Sequence, residues 1–340
     1  MKKENLSFLD IKRFLLIYYD LNLVKLEKVK HSSTDCYIIT CSEGKYFIKI
    51  FNRTKDTSKI KQEYDLLVYL KHKGFIVPSI IKTNNNKIYK YYKKNYIFLE
   101  SYIKGKTLAT EKISNKMLIN SAKLLGQMHK TMNGKYKDNN KELFWKCINI
   151  EEEKAFLNVV SKMLEEKPSG SNYLFIEEAI NHKKNMLNTL KKISEKFNGL
   201  TYLMTHEDYS KRNLIYNDEG NIAIVDFSDS SVYPVAWEVI RSYFFSTESC
   251  KKDNNFDYDL FTLYVKTYLK EFKLNITDIE SMPYLLLYQI ILSRYGYIEY
   301  IKNGDEELLS FIKWKEKIAY FLEENAKEIV KKLKSDLLTF

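Results

Sequence analysis

Glycine and proline are scarce in this chain, with 10 and 4 among 340 residues. Long Gly/Pro-rich linkers are thereby excluded, and abundant helix is expected. Cysteine is rare too. Cys36, Cys41, Cys147 and Cys250 are scattered with no Cys-x-x-Cys, which speaks against a zinc site and against a disulfide framework. Such usage fits a reducing compartment, so a cytoplasmic location is expected. The sequence has no uninterrupted apolar stretch of about 18 residues, so no membrane span is expected. The opening Met1-Lys2-Lys3-Glu4-Asn5 leads into no long apolar run, so no signal peptide is expected either.

What is present points to a folded, basic chain. Hydrophobic residues make up 45% and charged residues 29%, enough for a sizeable core and unlike a disordered segment. The 27 tyrosines pack well, but each wants a partner for its hydroxyl. Net charge is +11. It is carried mostly by lysine spread over the whole length, whereas nucleic-acid recognition favours clustered arginine. A solvated basic surface and no nucleic-acid partner are therefore expected; the oligomeric state is open.

Along the chain, residues 6–20 carry helical spacing, at Leu6, Leu9, Ile11, Phe14, Leu15 and Tyr18. Residues 36–40 and 46–50 are β-type runs flanking the turn Ser42-Glu43-Gly44-Lys45. Helical spacing returns over 58–72, and 79–102 reads as further strands with a turn at Asn84-Asn85-Asn86. After Gly105 the spacing is helical over 116–132, 150–166, 175–197, 257–272, 283–302 and 308–335. A loop is expected over Lys167–Asn172, and one β interruption at 202–227. There Asn217-Asp218-Glu219-Gly220-Asn221 separates Leu214-Ile215-Tyr216 from Ile222-Ala223-Ile224-Val225 as a hairpin.

The chemistry gathers at that hairpin. Thr205-His206-Glu207-Asp208-Tyr209-Ser210-Lys211-Arg212-Asn213 contains a His-x-Asp-x-x-x-x-Asn loop, and Ile224-Val225-Asp226-Phe227 puts a second aspartate at the end of an apolar strand. Each residue type has a job in phosphoryl transfer from a nucleotide. Asp208 can orient an attacking hydroxyl and take its proton. Asn213 offers a neutral oxygen, and Asp226 a carboxylate, to a hard cation. Mg²⁺ prefers oxygen ligands and shares them with substrate phosphates, so few protein ligands suffice. An unpaired carboxylate at the end of a core strand would cost several kcal/mol, which a metal or a cluster of donors would remove. Alone, a His-x-Asp triplet is ordinary turn chemistry. The added Asn213 and Asp226 at this spacing are what carry function.

This segment resembles the catalytic loop and metal-binding aspartate of the aminoglycoside phosphotransferase/choline kinase superfamily, relatives of the protein kinases. Ala236-Trp237-Glu238-Val239-Ile240-Arg241 resembles the Trp-Asp-Leu segment that follows, with Glu238 for the usual Asp. The resemblance implies an α+β, two-lobed protein-kinase-like fold with a small β-rich N-lobe and a larger, mostly helical C-lobe. The expected division is 1–100 for nucleotide binding, 101–108 as hinge and 109–340 for catalysis and acceptor binding. It also implies ATP and Mg²⁺ as cofactors, a small-molecule hydroxyl acceptor, Asp208 as catalytic aspartate, Asn213 and Asp226 as metal ligands, and His206 as a loop brace.

Further site residues follow from the same resemblance. Tyr46-Phe47-Ile48-Lys49-Ile50 is similar to the kinase strand whose lysine reaches the phosphates. Glu63 shares a helix face with Ile60, Leu67 and Leu70, and an acid in an apolar stripe needs a partner; Lys49 is the candidate. Phe98-Leu99-Glu100-Ser101-Tyr102-Ile103-Lys104-Gly105 resembles the hinge, with Ser101 as an extra residue and backbone around Glu100 and Tyr102 meeting the base. Leu125-Gly126-Gln127-Met128-His129 resembles a family helix, with His129 expected to be packed in the core.

Two features depart from the family. The phosphate-covering loop, Lys30-His31-Ser32-Ser33-Thr34-Asp35-Cys36, has no glycine, so Ser32 and Ser33 are the expected donors. Glu207 stands where the family usually has Gly; it would either raise the pKa of its neighbour or face away. Two alternatives remain open at this point. One is a kinase-like structural protein of the CotS spore-coat type with vestigial nucleotide binding, which would place it in the spore coat. The other is a protein kinase proper, disfavoured because no Ala-Pro-Glu follows Asp226 and Asp226-Phe227-Ser228 lacks the Gly.

Overall fold

The computed structural model describes residues 6–29, 35–51, 57–135, 149–167, 170–251 and 255–337. Ser32, Ser33 and Cys147 lie outside the described residues. The fold is α+β, with two compact units: Met1–Leu108 with Lys211–Ser230, and Ala109–Ser210 with Ser231–Phe340. No helix among the described residues is long and apolar enough to cross a membrane.

The first unit is built on a six-stranded antiparallel sheet of β1 (Leu23–Lys28), β2 (Asp35–Cys41), β3 (Gly44–Phe51), β4 (Ile80–Ile81), β5 (Lys90–Tyr92) and β6 (Asn95–Ser101). The strand order is β1-β2-β3-β6-β4, with β5 also on β6. The β2–β3 turn falls where the sequence put it, with Cys41 opposite Gly44. Helix α1 (Phe8–Tyr19) is closed by a capping box in which Ser7 and Asp10 satisfy each other's backbone. Its Ile11, Phe14, Leu15 and Tyr19 pack on Ile48, Ile50, Ile97 and Leu99 of the sheet. Because side chains alternate along a strand, Lys49, Phe98 and Glu100 stand on the opposite face. Helix α2 (Ser58–His72) buries Ile60, Glu63, Leu66, Leu67 and Leu70.

The hairpin belongs to this first unit: strands β8 (Leu214–Tyr216) and β9 (Ile222–Ile224) pair antiparallel. Backbone bonds between Lys106 and Tyr216 in both directions, at 3.0 and 2.9 Å, fasten the hairpin to the segment after β6. Gly105 makes that approach possible: a Cβ there would meet Ile215 Cγ2 and the Tyr216 carbonyl oxygen, both at 2.6 Å, and its φ is +147°.

Among its described residues the second unit is helical apart from a two-stranded ladder of β7 (Tyr202–Thr205) and β10 (Ser231–Pro234). Helices α3 (Asn115–Met132), α4 (Ile150–Glu165) and α5 (Ser171–Ser194) precede β7. Helix α6 (Val235–Ser246) follows β10 directly. Next come α7 (Tyr258–Glu271), α8 (Ile276–Leu292), α9 (Tyr297–Asn303) and α10 (Glu306–Leu337). Gly126 lets α3 and α7 approach closely; a Cβ there would lie 2.8 Å from the Tyr268 carbonyl oxygen. The helical run expected over 283–302 is two helices, α8 and α9, because Gly296 takes φ 101° between them. Strand β10 and helix α6 were not anticipated as elements. The first is four residues long, and the second is buried nearly all round, polar residues included.

Candidate active site

In the first unit the site is assembled around one buried lysine. Lys49 is 1% exposed. Its Nζ donates to Glu63 Oε1 at 2.7 Å and to Asp226 Oδ1 at 3.1 Å. It also forms an ion pair with Glu100 Oε1 at 3.0 Å. Strand β3 delivers the lysine, α2 the first acid, β6 the second, and the end of the β8–β9 hairpin the third. Glu63 and Glu100 are as buried as the lysine, whereas the Asp226 side chain is 44% exposed.

The electrostatics follow from that inventory. Burial alone would pull the Lys49 ammonium down; the carboxylates of Glu100, Glu63 and Asp226 outweigh it and hold it well above its ordinary value. Burial pushes Glu63 up, to about 7, against the pull of Lys49 and with the help of Glu100. Glu100 is raised as well, by burial first, with Lys49 opposing. Three acids share one base, so Lys49 alone does not offset the burial of both glutamates.

Asp226 sits in left-handed backbone, φ 64°, and accepts from Ser228 Oγ at 2.9 Å. A non-glycine residue held there is strained, and such strain persists only where the surroundings over-determine it. The Asn213 carbonyl accepts from Val225 N at 3.0 Å, so the ladder places Asn213 beside the strand end that carries Asp226. Gln62 of α2 donates to the Ser230 carbonyl at 2.6 Å and ties down the chain beyond Asp226. Among the described residues no group of three or more His, Cys, Asp or Glu forms a protein-only metal cage. The donor set of Asn213 and Asp226 suits a hard cation that keeps phosphate and water ligands.

Glu100 enters this cluster through its side chain. Its backbone lies inside the sheet, opposite Phe47 on β3 and Ile80 on β4. The register runs on without a bulge to Tyr46 opposite Ser101, so Ser101 is an ordinary strand residue. Tyr102 follows the strand end, with the Lys45 ammonium 5.7 Å from its ring centroid.

In the second unit the loop after β7 is braced from several sides. His206 is fully buried; its backbone N donates to Glu238 Oε2 at 3.1 Å, and its Nδ1 accepts from Asp208 N at 3.2 Å. The same Glu238 oxygen meets His129 Nε2 at 2.8 Å, and His129 Nδ1 meets the Tyr268 hydroxyl at 2.7 Å. Burial pushes the Glu238 carboxyl up, but its bond to His129 and the nearby His206 prevail and hold it below its usual value. The buried Tyr209 hydroxyl donates to the Ser121 carbonyl at 2.8 Å. Glu207, also at positive φ, takes the Ser231 hydroxyl. The Asp208 carboxylate, 38% exposed, receives Arg241 Nη2 on Oδ1 at 2.6 Å.

Two side chains escaped sequence reasoning, Arg241 on Asp208 and Glu100 on Lys49. Only the first carries a signal in the sequence. Helix α6 is mostly apolar, so Glu238 and Arg241, one turn apart on it, had to find partners. Glu100 follows Lys49 on the same sheet face once the β3–β6 register is known, and that register is not in the sequence.

Comparison with known proteins gives a family and a fold. The phosphotransferase enzyme family matches residues 27–264. No curated protein matches the chain. Among solved structures, amicoumacin kinase hAmiN in complex with AMP-PNP, Ca²⁺ and Ami is 14% identical with a TM-score of 0.67, covering 95% of this chain and 94% of that one. Spectinomycin phosphotransferase with ADP and spectinomycin is 16% identical with a TM-score of 0.66, covering 94% and 100%. A microcompartment-associated aminopropanol kinase is 13% identical with a TM-score of 0.64, covering 94% and 98%. At these identities the likeness is one of fold.

Proposed function

On the premise that the chain belongs to the phosphotransferase enzyme family, we propose that it transfers the γ-phosphoryl group of ATP, with Mg²⁺, to a hydroxyl of a small molecule. The observation that carries this reading is the buried Lys49 joined to Glu63 on one side and to Asp226 on the other. Lys49 binds the nucleotide phosphates, and Glu63 holds its ammonium in place. Asn213 and Asp226 hold the metal, which when bound neutralises phosphate charge. Tyr102 and the backbone beside it meet the base, while Ser32 and Ser33 cover the phosphates. Asp208 orients the acceptor hydroxyl and takes its proton as the oxygen attacks. The described cysteines, Cys36, Cys41 and Cys250, are free thiols, in keeping with a cytoplasmic setting.

The acceptor is proposed to be an aminoglycoside-like, choline-like or homoserine-like compound. Support comes from the solved neighbours, which are by name kinases or phosphotransferases of amicoumacin, spectinomycin and aminopropanol. The test has two parts. Mg-ATP should raise the melting temperature, and Asp226→Ala should remove the metal-dependent part of that rise. ATP consumption across a panel of hydroxyl compounds should then single out an acceptor. No shift with millimolar Mg-ATP, together with no acceptor-dependent turnover, would defeat this function.

A further inference from the structure

We propose that Arg241 is a positioning residue for phosphoryl transfer, one that restrains rotation of the Asp208 carboxylate; the inference rests on the phosphotransferase function above. Helix α6 presents two charged side chains, one turn apart, to the loop after β7. Glu238 takes the backbone N of His206, and His206 in turn takes the backbone N of Asp208. Arg241 takes the Asp208 side chain, through Nη2 and Oδ1 at 2.6 Å. One helix thus holds both the backbone and the carboxylate of the residue assigned as base. With Oδ1 engaged, rotation of the carboxylate about its Cβ–Cγ bond is restrained, and with it the range of directions open to Oδ2.

The guanidinium is itself held by more than its ion pair. Its central carbon lies 4.4 Å from the Phe245 ring centroid and 5.4 Å from that of Trp237. The Trp237 ring is in turn met edge-on by Tyr233 at 4.7 Å. Arginine stacks on aromatic faces in this way and loses little further freedom when it bonds a carboxylate. Arg241 Nη1 is buried with no hydrogen-bond partner among the described residues. A fold that served only to satisfy the guanidinium would not strand that donor. The group is instead placed so that Nη2 meets Asp208. The Arg241 side chain is 13% exposed and that of Asp208 38%, so the holding group is shielded while the held carboxylate reaches solvent.

Arg241→Met, Arg241→Lys and Arg241→Ala, together with Asp208→Asn and Asp208→Asn/Arg241→Met, test this by steady-state ATP turnover, including the basal transfer to water. In Arg241→Met, kcat should fall about 10²-fold, the scale of a misplaced reacting group, with KM for ATP nearly unchanged. Arg241→Lys, which keeps the charge but loses the planar fork, should recover part of the loss. Added guanidinium ion should rescue Arg241→Ala by entering between Phe245 and Trp237. The double variant should be no slower than Asp208→Asn alone, because Arg241 acts through Asp208. A merely structural arginine would lower the melting temperature and the folded fraction, yet leave kcat per folded molecule unchanged. That result, or additive losses in the double variant, overturns the proposal. Should Arg241→Met fail to fold, the lysine variant and the guanidinium rescue decide by the same criteria. A wild type that turns over no ATP with any acceptor or water would sink the phosphotransferase function and this role together. An active wild type with an unimpaired Arg241→Met sinks only the role of Arg241.

Discussion

Replacing Lys49 with methionine tests the physics of the first unit without reference to any substrate. The substitution nearly preserves volume but removes the cation to which Glu63, Glu100 and Asp226 all turn. Asp226 is partly exposed and can turn to water; Glu63 and Glu100, at 2% and 3% exposure, cannot. Removing one partner of a buried pair costs about 3–5 kcal/mol, and a loss of that size lowers the melting temperature by on the order of 10 °C. The sign of its pH dependence is fixed as well. Burial raises Glu63, to about 7, and raises Glu100, even with the lysine present. Without Lys49 both rise further. An acid whose folded pKa is raised binds its proton more tightly folded than unfolded. It therefore supports the fold at low pH, and that support is lost as pH climbs from the unfolded carboxyl value of about 4.3 through the folded one. Melting curves followed by circular dichroism should thus show a deficit of full size at neutral pH that shrinks toward pH 5. A Lys49→Met protein as stable as wild type at pH 7.5, or one whose deficit grows on acidification, would show that the three acids do not depend on this cation.

Other outcomes follow from the same coordinates. Asp208→Asn should lower turnover by about 10²–10⁴-fold, the range of a general base, while the melting shift given by Mg-ATP persists; unchanged turnover removes Asp208 from its role. Gly105→Ala should destabilise the first unit by about 1–3 kcal/mol, because a Cβ meets Ile215 and the Tyr216 carbonyl at 2.6 Å; a denaturation midpoint equal to wild type would contradict this. In the second unit Lys315 is buried on α10, bonded to Ser293 Oγ at 2.9 Å and the Tyr295 carbonyl at 3.1 Å. Burial, with Lys183 adding and Glu316 opposing, lowers Lys315 to about 7. The unfolded chain then binds the proton more tightly, so stability should rise with pH from about 7 toward 9. Lys315→Met should flatten that part of the profile, and an unaltered profile would refute the assignment.

Much of the arrangement was legible from residue order because it depends on local rules. The β2–β3 hairpin and α2 are set by strand alternation, turn residues and a three-to-four-residue apolar spacing. The pair Asn213 and Asp226 is legible for a related reason: a tight hairpin joins them, and its ladder runs from Val225 N to the Asn213 carbonyl. The Gly296 break between α8 and α9 was missed because a glycine inside an apolar helical run leaves the period intact.

Residue order by itself determined, through chain connectivity and helical periodicity, that Asn213 and Asp226 flank one tight hairpin and that Glu63 lies in an apolar stripe in need of a cation. Only the tertiary structure decided which groups reach that cation and which reach Asp208. Glu100 meets Lys49 because the β3–β6 register sets Phe47 opposite Glu100 and Lys49 opposite Phe98. Arg241 meets Asp208 because α6 lies against the loop after β7. Register and helix placement are set by packing of surfaces distant in sequence, and no local rule encodes them.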